Sequence, residues 1–438
     1  MTRRWALVTC ALAVTTLVAC EEDFQDVSGP VGQAAFARYV AMGTSISMGV
    51  QSDGVMSESQ VKAWPAQLAR LARADFTQPL FRQPGCYAPL IAPLQLSRRL
   101  DGASAAAVDT ACAGLLPGIT PGQNDVAVDG AQTYFAHRLT PESTAVEMDP
   151  KRRNQYPLIL PSGKTQVTAM MDQRPTLVSV ELGANEVLGA LAGLVFPAQA
   201  YRQPANTYTI IPPAVWQPEY DAIIDSVAKT GARGLLVTVP NVSSLPSVRR
   251  GSELAADRAA FQAFGVIVSP DCDANENLIF VAAKVPGLVG RAQATQTPQT
   301  LTCIDAPGQP DYLLTPADLQ AITGVVTAMN AHITEVATQR GWAVLDINAV
   351  LAEGVQQNPA YSVRKQLGCV YPYGQYMSLD GVHPNGFGQQ LLANAAARAL
   401  NETYGFELPE NPLTPLTADQ QCPPPAAPAA TVAALPTR

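Results

Sequence analysis

The sequence predicts an α/β protein built on a buried, mainly parallel sheet of five strands and carrying two long insertions. Short, nearly continuous apolar runs recur along the 438 residues, helical patterns separate several of them, and most end in turns of small residues. Such runs are typical of strands that helices cover on both faces. The apolar fraction of 47% and the charged fraction of 15% also indicate a folded, globular chain.

Each predicted element follows from its local pattern. The five apolar runs predicted as strands are residues 35–42, 125–128, 177–182, 234–239 and 343–347. Helices are predicted at 63–74, where Pro65 falls in the first turn, and at 316–340, just before the fifth strand. A helix of small residues is expected to follow the third strand, as far as about residue 194.

Two long segments interrupt this alternation. Residues 77–123 are rich in Pro, Gly and Ala, and residues 242–311 separate the fourth strand from the helix before the fifth. Within the second insertion, apolar runs at 266–268 and 278–281 are predicted to pair as a hairpin. We expect a single domain over 35–406, followed by a Pro/Ala-rich tail over 407–438 that is partly disordered.

The N-terminus has the pattern of an export signal. Arg3 and Arg4 precede an apolar run of 15 residues that ends in Leu17-Val18-Ala19-Cys20. This pattern resembles a bacterial lipoprotein signal, which implies cleavage after residue 19, lipidation of Cys20 and a flexible tether over 20–34. An uncleaved anchor is the alternative, although the run is shorter than the roughly 20 residues that span a bilayer. The resemblance predicts an exported, membrane-anchored protein on the periplasmic or cell-surface face.

Six cysteines remain outside the signal and the lipidation site. Exported proteins use such even sets as disulfides, and six cysteines allow 15 pairings. Because each sequence-adjacent pair brackets a loop or an insertion, we predict Cys86 with Cys112, Cys272 with Cys303, and Cys369 with Cys422. Free buried cysteines are the alternative. A metal site is not predicted, since no pair has Cys-x-x-Cys spacing and the three histidines are far apart in sequence.

Polar residues follow three of the predicted strands. Ser45 comes after the first strand in Gly43-Thr44-Ser45-Ile46-Ser47, Gly130 closes the second, and Asn185 follows the third. The carboxyl ends of parallel strands are where α/β sheets bind their ligands. Each residue taken alone also fits an ordinary turn, so these positions become informative only in combination.

The stretch 378–386 supplies a paired acid and base. Asp380 precedes His383 by three residues, a spacing that lets the carboxylate reach one ring nitrogen and leaves the other free. An imidazole held in this way is a usable general base. The alternative interpretation is a helix N-terminus, with Asp as the cap and Pro384 as the first helical residue.

Taken together, these motifs resemble the SGNH hydrolases, also called the GDSL esterase/lipase family. Residues 43–47 match the first block of that family, 129–131 the second, 183–186 the third and 380–384 the fifth. The resemblance implies a three-layer, flavodoxin-like fold and no cofactor. It implies Ser45 as nucleophile, His383 as base and Asp380 as its orienting acid, with an oxyanion hole from the Ser45 N–H, the Gly130 N–H and the Asn185 amide.

The match to this family has departures and covers only the sheet scaffold. Thr44 stands where the family has an acid, and Glu186 replaces its usual Asp. A different serine-hydrolase elbow, Gly-x-Ser-x-Gly, is excluded because Ser47 occupies the place of its final glycine. His137 and His332 are predicted to be bystanders, and residues 188–196 either line an acyl pocket or form a buried helix face.

Two classes of function remain open from the sequence. The first is an ester hydrolase that acts outside the cytoplasm on a lipid or simple ester, or on O-acetyl groups of a polysaccharide. The second is a binding lipoprotein that keeps the fold without catalysis. Nucleic acid is excluded as a partner, because loss of the two signal arginines would make a formal net charge of −8 still more negative.

Overall fold

The computed structural model describes residues 30–106, 112–146, 150–201, 209–355 and 360–422. The predicted signal at 1–19, the lipidation site Cys20, most of the tether and the end of the tail from 423 lie outside these residues. None of the helices in the described ranges combines the length and apolar character that a membrane crossing needs.

The core is a four-stranded parallel sheet whose strand order is β1-β2-β3-β9. The remaining strands form two small sheets outside it. In chain order the strands are β1 (Tyr39–Met42), β2 (Leu177–Val180), β3 (Arg233–Val237), β4 (Val248–Arg250), β5 (Val266–Val268), β6 (Leu278–Phe280), β7 (Gln299–Leu301), β8 (Leu313–Leu314) and β9 (Ala343–Leu345).

Helices cover the sheet and build much of the insertions. In chain order they are α1 (Pro30–Phe36), α2 (Ser45–Met48), α3 (Ser57–Gln60), α4 (Trp64–Leu71), α5 (Thr133–Arg138), α6 (Pro150–Ile159), α7 (Gln166–Asp172), α8 (Pro213–Lys229), α9 (Gly251–Ala256), α10 (Arg258–Gln262), α11 (Val281–Thr295), α12 (Pro316–Arg340), α13 (Ile347–Val355), α14 (Val363–Gly368), α15 (Gly386–Tyr404) and α16 (Ala418–Gln421). The predicted helix at 316–340 has these same bounds as α12.

Alternate residues of the sheet enter two separate apolar clusters. Val40 and Met42 of β1 join the cluster that α8 completes, whereas Tyr39 and Ala41 join the one that α4 and α15 complete. Side chains of a strand point to opposite faces in turn, so both faces of the sheet are buried. This double burial explains why the strands are almost uniformly apolar in sequence.

The predicted count of five sheet strands is not confirmed, because residues 125–128 form only one bridge, between Asp125 and Ala41. The Asp125 side chain accepts a hydrogen bond from the Ala127 N–H (3.1 Å), a local turn that competes with extended strand pairing. The segment still runs alongside β1, since the Val126 N–H donates to the Ala41 carbonyl. It therefore reaches the carboxyl end of the sheet as predicted.

Two further elements differ from the predicted ones. Residues 30–36 are helical, so the first strand begins at Tyr39 and not at residue 35. The predicted helix after the third strand consists instead of two 3₁₀ helices, Ala184–Glu186 and Leu188–Ala192. Gly193 ends the second of these in the left-handed conformation, at φ 85°.

The predicted hairpin in the second insertion is wrong. Strand β5 pairs in parallel with β7, whereas β6 lies between β4 and β8 in a separate antiparallel sheet. A 3₁₀ helix at Pro270–Cys272 turns the chain after β5, and the disulfide between Cys272 and Cys303 holds the end of β7 beside it. The nearest strand in space is therefore not the next one in sequence.

All three predicted disulfides are present: Cys86–Cys112, Cys272–Cys303 and Cys369–Cys422. The first two close loops inside the two insertions. The third ties the tail to the segment before α15, so residues up to 422 pack on the domain. The presence of three disulfides indicates that the protein is located outside the reducing cytoplasm.

The buried carboxyl of Asp125 is expected to make stability depend on pH. Burial raises its pKa to about 7, the charge of Glu181 adds to this, and hydrogen bonds from the Ala127 N–H and Gln78 act in the opposite direction. The folded state then holds a proton that the unfolded state has lost between about pH 4 and pH 7. Stability therefore falls as pH rises through this window, by up to about 1.4 kcal/mol per pH unit.

The variant Asp125→Asn removes this titration while keeping the shape of the side chain. We expect urea unfolding to show it gaining stability relative to wild type between pH 5 and pH 8. An identical difference between the two proteins at both pH values would contradict the assignment.

Candidate active site

Ser45 is the first residue of α2, directly after β1 and its Gly43-Thr44 turn. The side chain of Ser45 is buried, with 5% exposure. Thr44 precedes the helix in an extended conformation, but its hydroxyl does not cap the helix, because it donates to the Glu181 carboxylate (2.8 Å). The N–H groups of Thr44 and Ser47 also donate to Glu181, at 2.9 and 3.3 Å.

His383 lies between Ser45 and Asp380. Its Nε2 is 2.9 Å from Ser45 Oγ, and its Nδ1 is 2.8 Å from Asp380 Oδ2. An ionised carboxylate only accepts hydrogen bonds, so in the neutral ring Nδ1 carries the proton and donates to Asp380. Nε2 is then the acceptor for the Ser45 hydroxyl. Residues 338 positions apart in sequence thus form one hydrogen-bonded chain.

The Asp380 carboxylate is held by several donors besides the ring. Its Oδ1 accepts from the backbone N–H groups of Val382 (2.8 Å) and His383 (2.9 Å) and from the Ser378 hydroxyl (3.0 Å). Burial alone raises the pKa of this carboxyl. The charge of protonated His383 and these donors outweigh burial and hold the pKa well below its ordinary value. Asp380 is therefore ionised throughout the neutral range.

The first insertion supports Asp380 from behind. The Asp53 N–H donates to Asp380 Oδ2, and the Asp53 side chain pairs with the guanidinium of Arg99 (2.6 Å). Arg99 belongs to the insertion at 77–123 and is itself buried, donating also to the Ala88 carbonyl (2.9 Å). The Arg99 side chain is 8% exposed and the Asp53 side chain 36% exposed, and this ion pair holds the backbone that contacts the acid.

The second insertion contacts the same loop from its other side. The Ser247 hydroxyl donates to the carbonyl of Gly381, which has φ +70°. A Cβ at Gly381 would lie 2.5 Å from Cβ of Ser247 and 2.9 Å from that of Ala282, so glycine is required here. The turn between Asp380 and His383 is therefore fixed on both sides.

Asn185 and Gly130 are brought together through one hydrogen bond. Asn185 Nδ2 donates to the carbonyl of Ala131 (2.9 Å), the residue after Gly130. This contact uses one amide hydrogen and leaves the second free to point elsewhere. Glu186 anchors the other side of the Asn185 turn, because its buried carboxylate accepts from the Thr133 N–H (2.6 Å) and the Tyr201 hydroxyl (2.9 Å).

A cavity of about 60 Å³ lies beside Ser45. Ser45, His383 and Asn185 line it, whereas Gly130 is not among its lining residues. Most of the remaining lining is apolar and includes Leu188, Val350, Leu351, Met377, Leu391 and Leu392. Of the predicted pocket segment 188–196, Leu188 reaches this cavity, while Phe196 is 41% exposed on the surface.

The other two histidines pair with acids of their own. His137 Nδ1 is 2.6 Å from Glu219, and His332 Nε2 is 2.6 Å from Asp221. Neither lines the cavity.

Among the described residues, the candidate metal-ligand group is Asp271 with Cys272 and Cys303. Its two sulfurs are joined in a disulfide, so they offer no thiolates to a metal.

Sequence reasoning did not identify the residues that support the site, namely Glu181, Asp53, Arg99 and Ser247. For Glu181 a signal is visible, since it is a carboxylate at the end of an otherwise apolar strand. Asp53 contacts Asp380 through its backbone N–H, a group that nearly every residue type carries, so the sequence does not indicate this contact. Its left-handed φ of 56° has only a weak sequence signal, because aspartate adopts this conformation more often than most residues but less often than glycine.

No protein-family model matches the chain, and no curated protein matches it. Among solved structures, the chain is similar to the crystal structure of a putative GDSL-like lipase from Parabacteroides merdae, with a TM-score of 0.33 and 11% sequence identity. The alignment covers 82% of this chain and 94% of that one. A similarity of this size carries no argument about function, which depends on the site geometry.

Proposed function

We propose that this protein is a serine-dependent carboxylic-ester hydrolase of the SGNH, or GDSL, type. The observation that carries the proposal is the chain from Ser45 Oγ to His383 Nε2 and from His383 Nδ1 to Asp380, at 2.9 and 2.8 Å. These distances lie within hydrogen-bond reach for a nucleophile, a base and the group that orients the base. With the disulfides and the predicted lipid at Cys20, the reaction takes place outside the cytoplasm.

In the proposed reaction His383 accepts the Ser45 proton as Oγ attacks the ester carbonyl. Asp380 stabilises the imidazolium that forms, and the ring then gives the proton to the leaving alcohol. Water, activated by the same ring, releases the acid from Ser45 and restores the free hydroxyl. The charge that develops on the carbonyl oxygen is held by the Ser45 N–H and by the free amide hydrogen of Asn185, two residues that line the cavity. The family resemblance adds the Gly130 N–H as a third donor, although Gly130 is not among the lining residues.

The apolar lining of the cavity supports an acyl chain as the bound group. Apart from Tyr373, Tyr376 and the site residues themselves, the lining side chains offer no partners to sugar hydroxyls, which would lose most of their hydrogen bonds to water on entry. A lipid or simple aliphatic ester is therefore the preferred substrate class over an acetylated polysaccharide. A panel of p-nitrophenyl esters of rising chain length, beside acetylated xylan, tests this. Turnover of acetylated xylan alone would reverse the preference.

Asn185→Ala is expected to lower kcat by about 10²- to 10³-fold, the usual effect of removing one oxyanion donor. KM should change little, because the donor acts on charge that exists only in the transition state. Asn185→Asp is the matched variant, since it keeps the size but replaces the donor by a charged acceptor, and we expect it to be slower still. Steady-state kinetics on a short p-nitrophenyl ester measures both. Wild-type kcat in Asn185→Ala would remove Asn185 from the oxyanion hole.

A further inference from the structure

One buried carboxylate lies directly beneath the Ser45 turn and takes no part in the proton transfers described above. Glu181 follows β2 at the carboxyl end of the sheet and is 3% exposed. Four donors surround it: the N–H and hydroxyl of Thr44 and the N–H and hydroxyl of Ser47. All four come from the two residues that flank Ser45 and Ile46 in the chain.

The contacts to Glu181 do not include the Ser45 N–H. The first N–H groups of a helix have no partners within the helix and need acceptors elsewhere. Glu181 accepts from Thr44 and Ser47, while no described residue accepts a hydrogen bond from the Ser45 N–H. That N–H is the one that the proposed reaction assigns to the oxyanion.

The backbone has room for this carboxylate only because of Gly43. A Cβ at Gly43 would lie 2.6 Å from Ser47 Oγ and 2.9 Å from Glu181 Oε2. Any larger residue would push the carboxylate and the turn apart. Gly43 follows β1 and Glu181 follows β2, and the close packing of the two makes them parts of one arrangement.

We propose that Glu181 is a positioning residue, which clamps Thr44 and Ser47 so that the Ser45 hydroxyl meets His383 and the Ser45 N–H faces the substrate carbonyl. The inference rests on the proposed function. It assigns Glu181 no contact with substrate. Burial raises the pKa of the carboxyl, and the four donors act against this rise.

The test compares Glu181→Met with Ser179→Ala. Because all four donors reach Glu181 Oε2, a glutamine could keep them with its amide oxygen, whereas methionine has a similar length and offers only a weak thioether acceptor, so the clamp is lost. Ser179 lies two residues earlier on the same face of β2 and is fully buried, but it bonds to the Tyr39 hydroxyl (2.9 Å) and not to the turn. Its loss removes one buried hydrogen bond of the strand and leaves Ser45 in place.

The readouts are the rate at which a fluorophosphonate labels Ser45, kcat and KM on a short p-nitrophenyl ester, and the melting temperature. A misplacement of about 1 Å costs about 100-fold in rate, so we expect Glu181→Met to lose about this factor in labelling and in kcat at unchanged KM. Ser179→Ala should keep the wild-type labelling rate. If Glu181→Met does not fold, Thr44→Val removes one donor from the clamp and is expected to slow labelling in the same direction.

Two results would overturn the inference. One is wild-type labelling in folded Glu181→Met or, if that variant does not fold, in Thr44→Val. The other is an equal loss of labelling in Ser179→Ala. Absence of labelling in the wild-type protein would instead defeat the proposed function. The two failures are thus distinguishable in one set of measurements.

Discussion

Replacing Ser45 with alanine is expected to lower ester hydrolysis on the order of 10⁶-fold, as in serine hydrolases that lose their nucleophile. Without Oγ there is no acyl-enzyme, and only the oxyanion donors and substrate binding remain. The fluorophosphonate label should disappear together with turnover. Because the Ser45 hydroxyl is small and its bond to His383 is a single contact, the variant should keep the wild-type fold and melting behaviour.

Ser226→Ala is the matched control for this experiment. Ser226 lies in α8, and its hydroxyl donates to the Ala222 carbonyl of the same helix (2.8 Å). Ser226→Ala therefore removes a serine hydroxyl outside the candidate site. We expect full activity and full labelling. Substantial turnover in Ser45→Ala would disprove the assignment of the nucleophile.

His383→Ala is expected to cost about as much as Ser45→Ala, on the order of 10⁶-fold in kcat, because nucleophile and base act as one unit. The double variant should therefore be no slower than either single one. Kinetics of all three proteins on the same p-nitrophenyl ester measures this. Additive losses would show that the two side chains act independently, against the 2.9 Å contact between them.

The chain offers a second histidine for comparison. His332 is also paired with an acid, Asp221, but it lies on α12 away from the cavity. His332→Ala breaks a similar pair without touching the Ser45 site, and it should leave kcat unchanged. A similar loss in both histidine variants would point to general damage to the fold.

The sheet could be predicted from sequence because burial on both faces makes its strands apolar throughout. Four of the five predicted runs form the parallel sheet in the expected chain order, and α12 has its predicted bounds. The run at 125–128 is the exception. The side chain of its first residue, Asp125, accepts a hydrogen bond from the Ala127 N–H, and this local contact limits the pairing with β1. A side chain that competes locally with the hydrogen bonds of the sheet leaves no pattern in the sequence.

The insertions could be located but not folded from sequence. Their disulfides followed from the number and order of cysteines, since each closes a local loop. The strand pairing did not, because β5 takes a partner more than thirty residues away in preference to the next apolar run. Short strands in irregular segments have little periodic signal, and tertiary contacts decide their pairing.

The site was predictable where residue type and spacing carry the chemistry. The sequence predicts Ser45 and Asn185 at strand ends and Asp380 and His383 in the last loop, and the structure brings Ser45, Asn185 and His383 to one cavity. Groups that act through the backbone, such as the Asp53 N–H, could not be found in this way. Their position depends on the packing of a distant segment.

The link from Arg99 through Asp53 to Asp380 has a consequence for redesign of this protein. The stretch at 77–123 looks dispensable, since it is irregular and lies outside the sheet. A shortened version without it would keep every residue of the proposed reaction, yet it would remove the cation that holds the backbone behind the acid. Any minimal version must therefore supply a new anchor for residue 53, and it must also refill the core that Phe81 and Tyr87 now occupy.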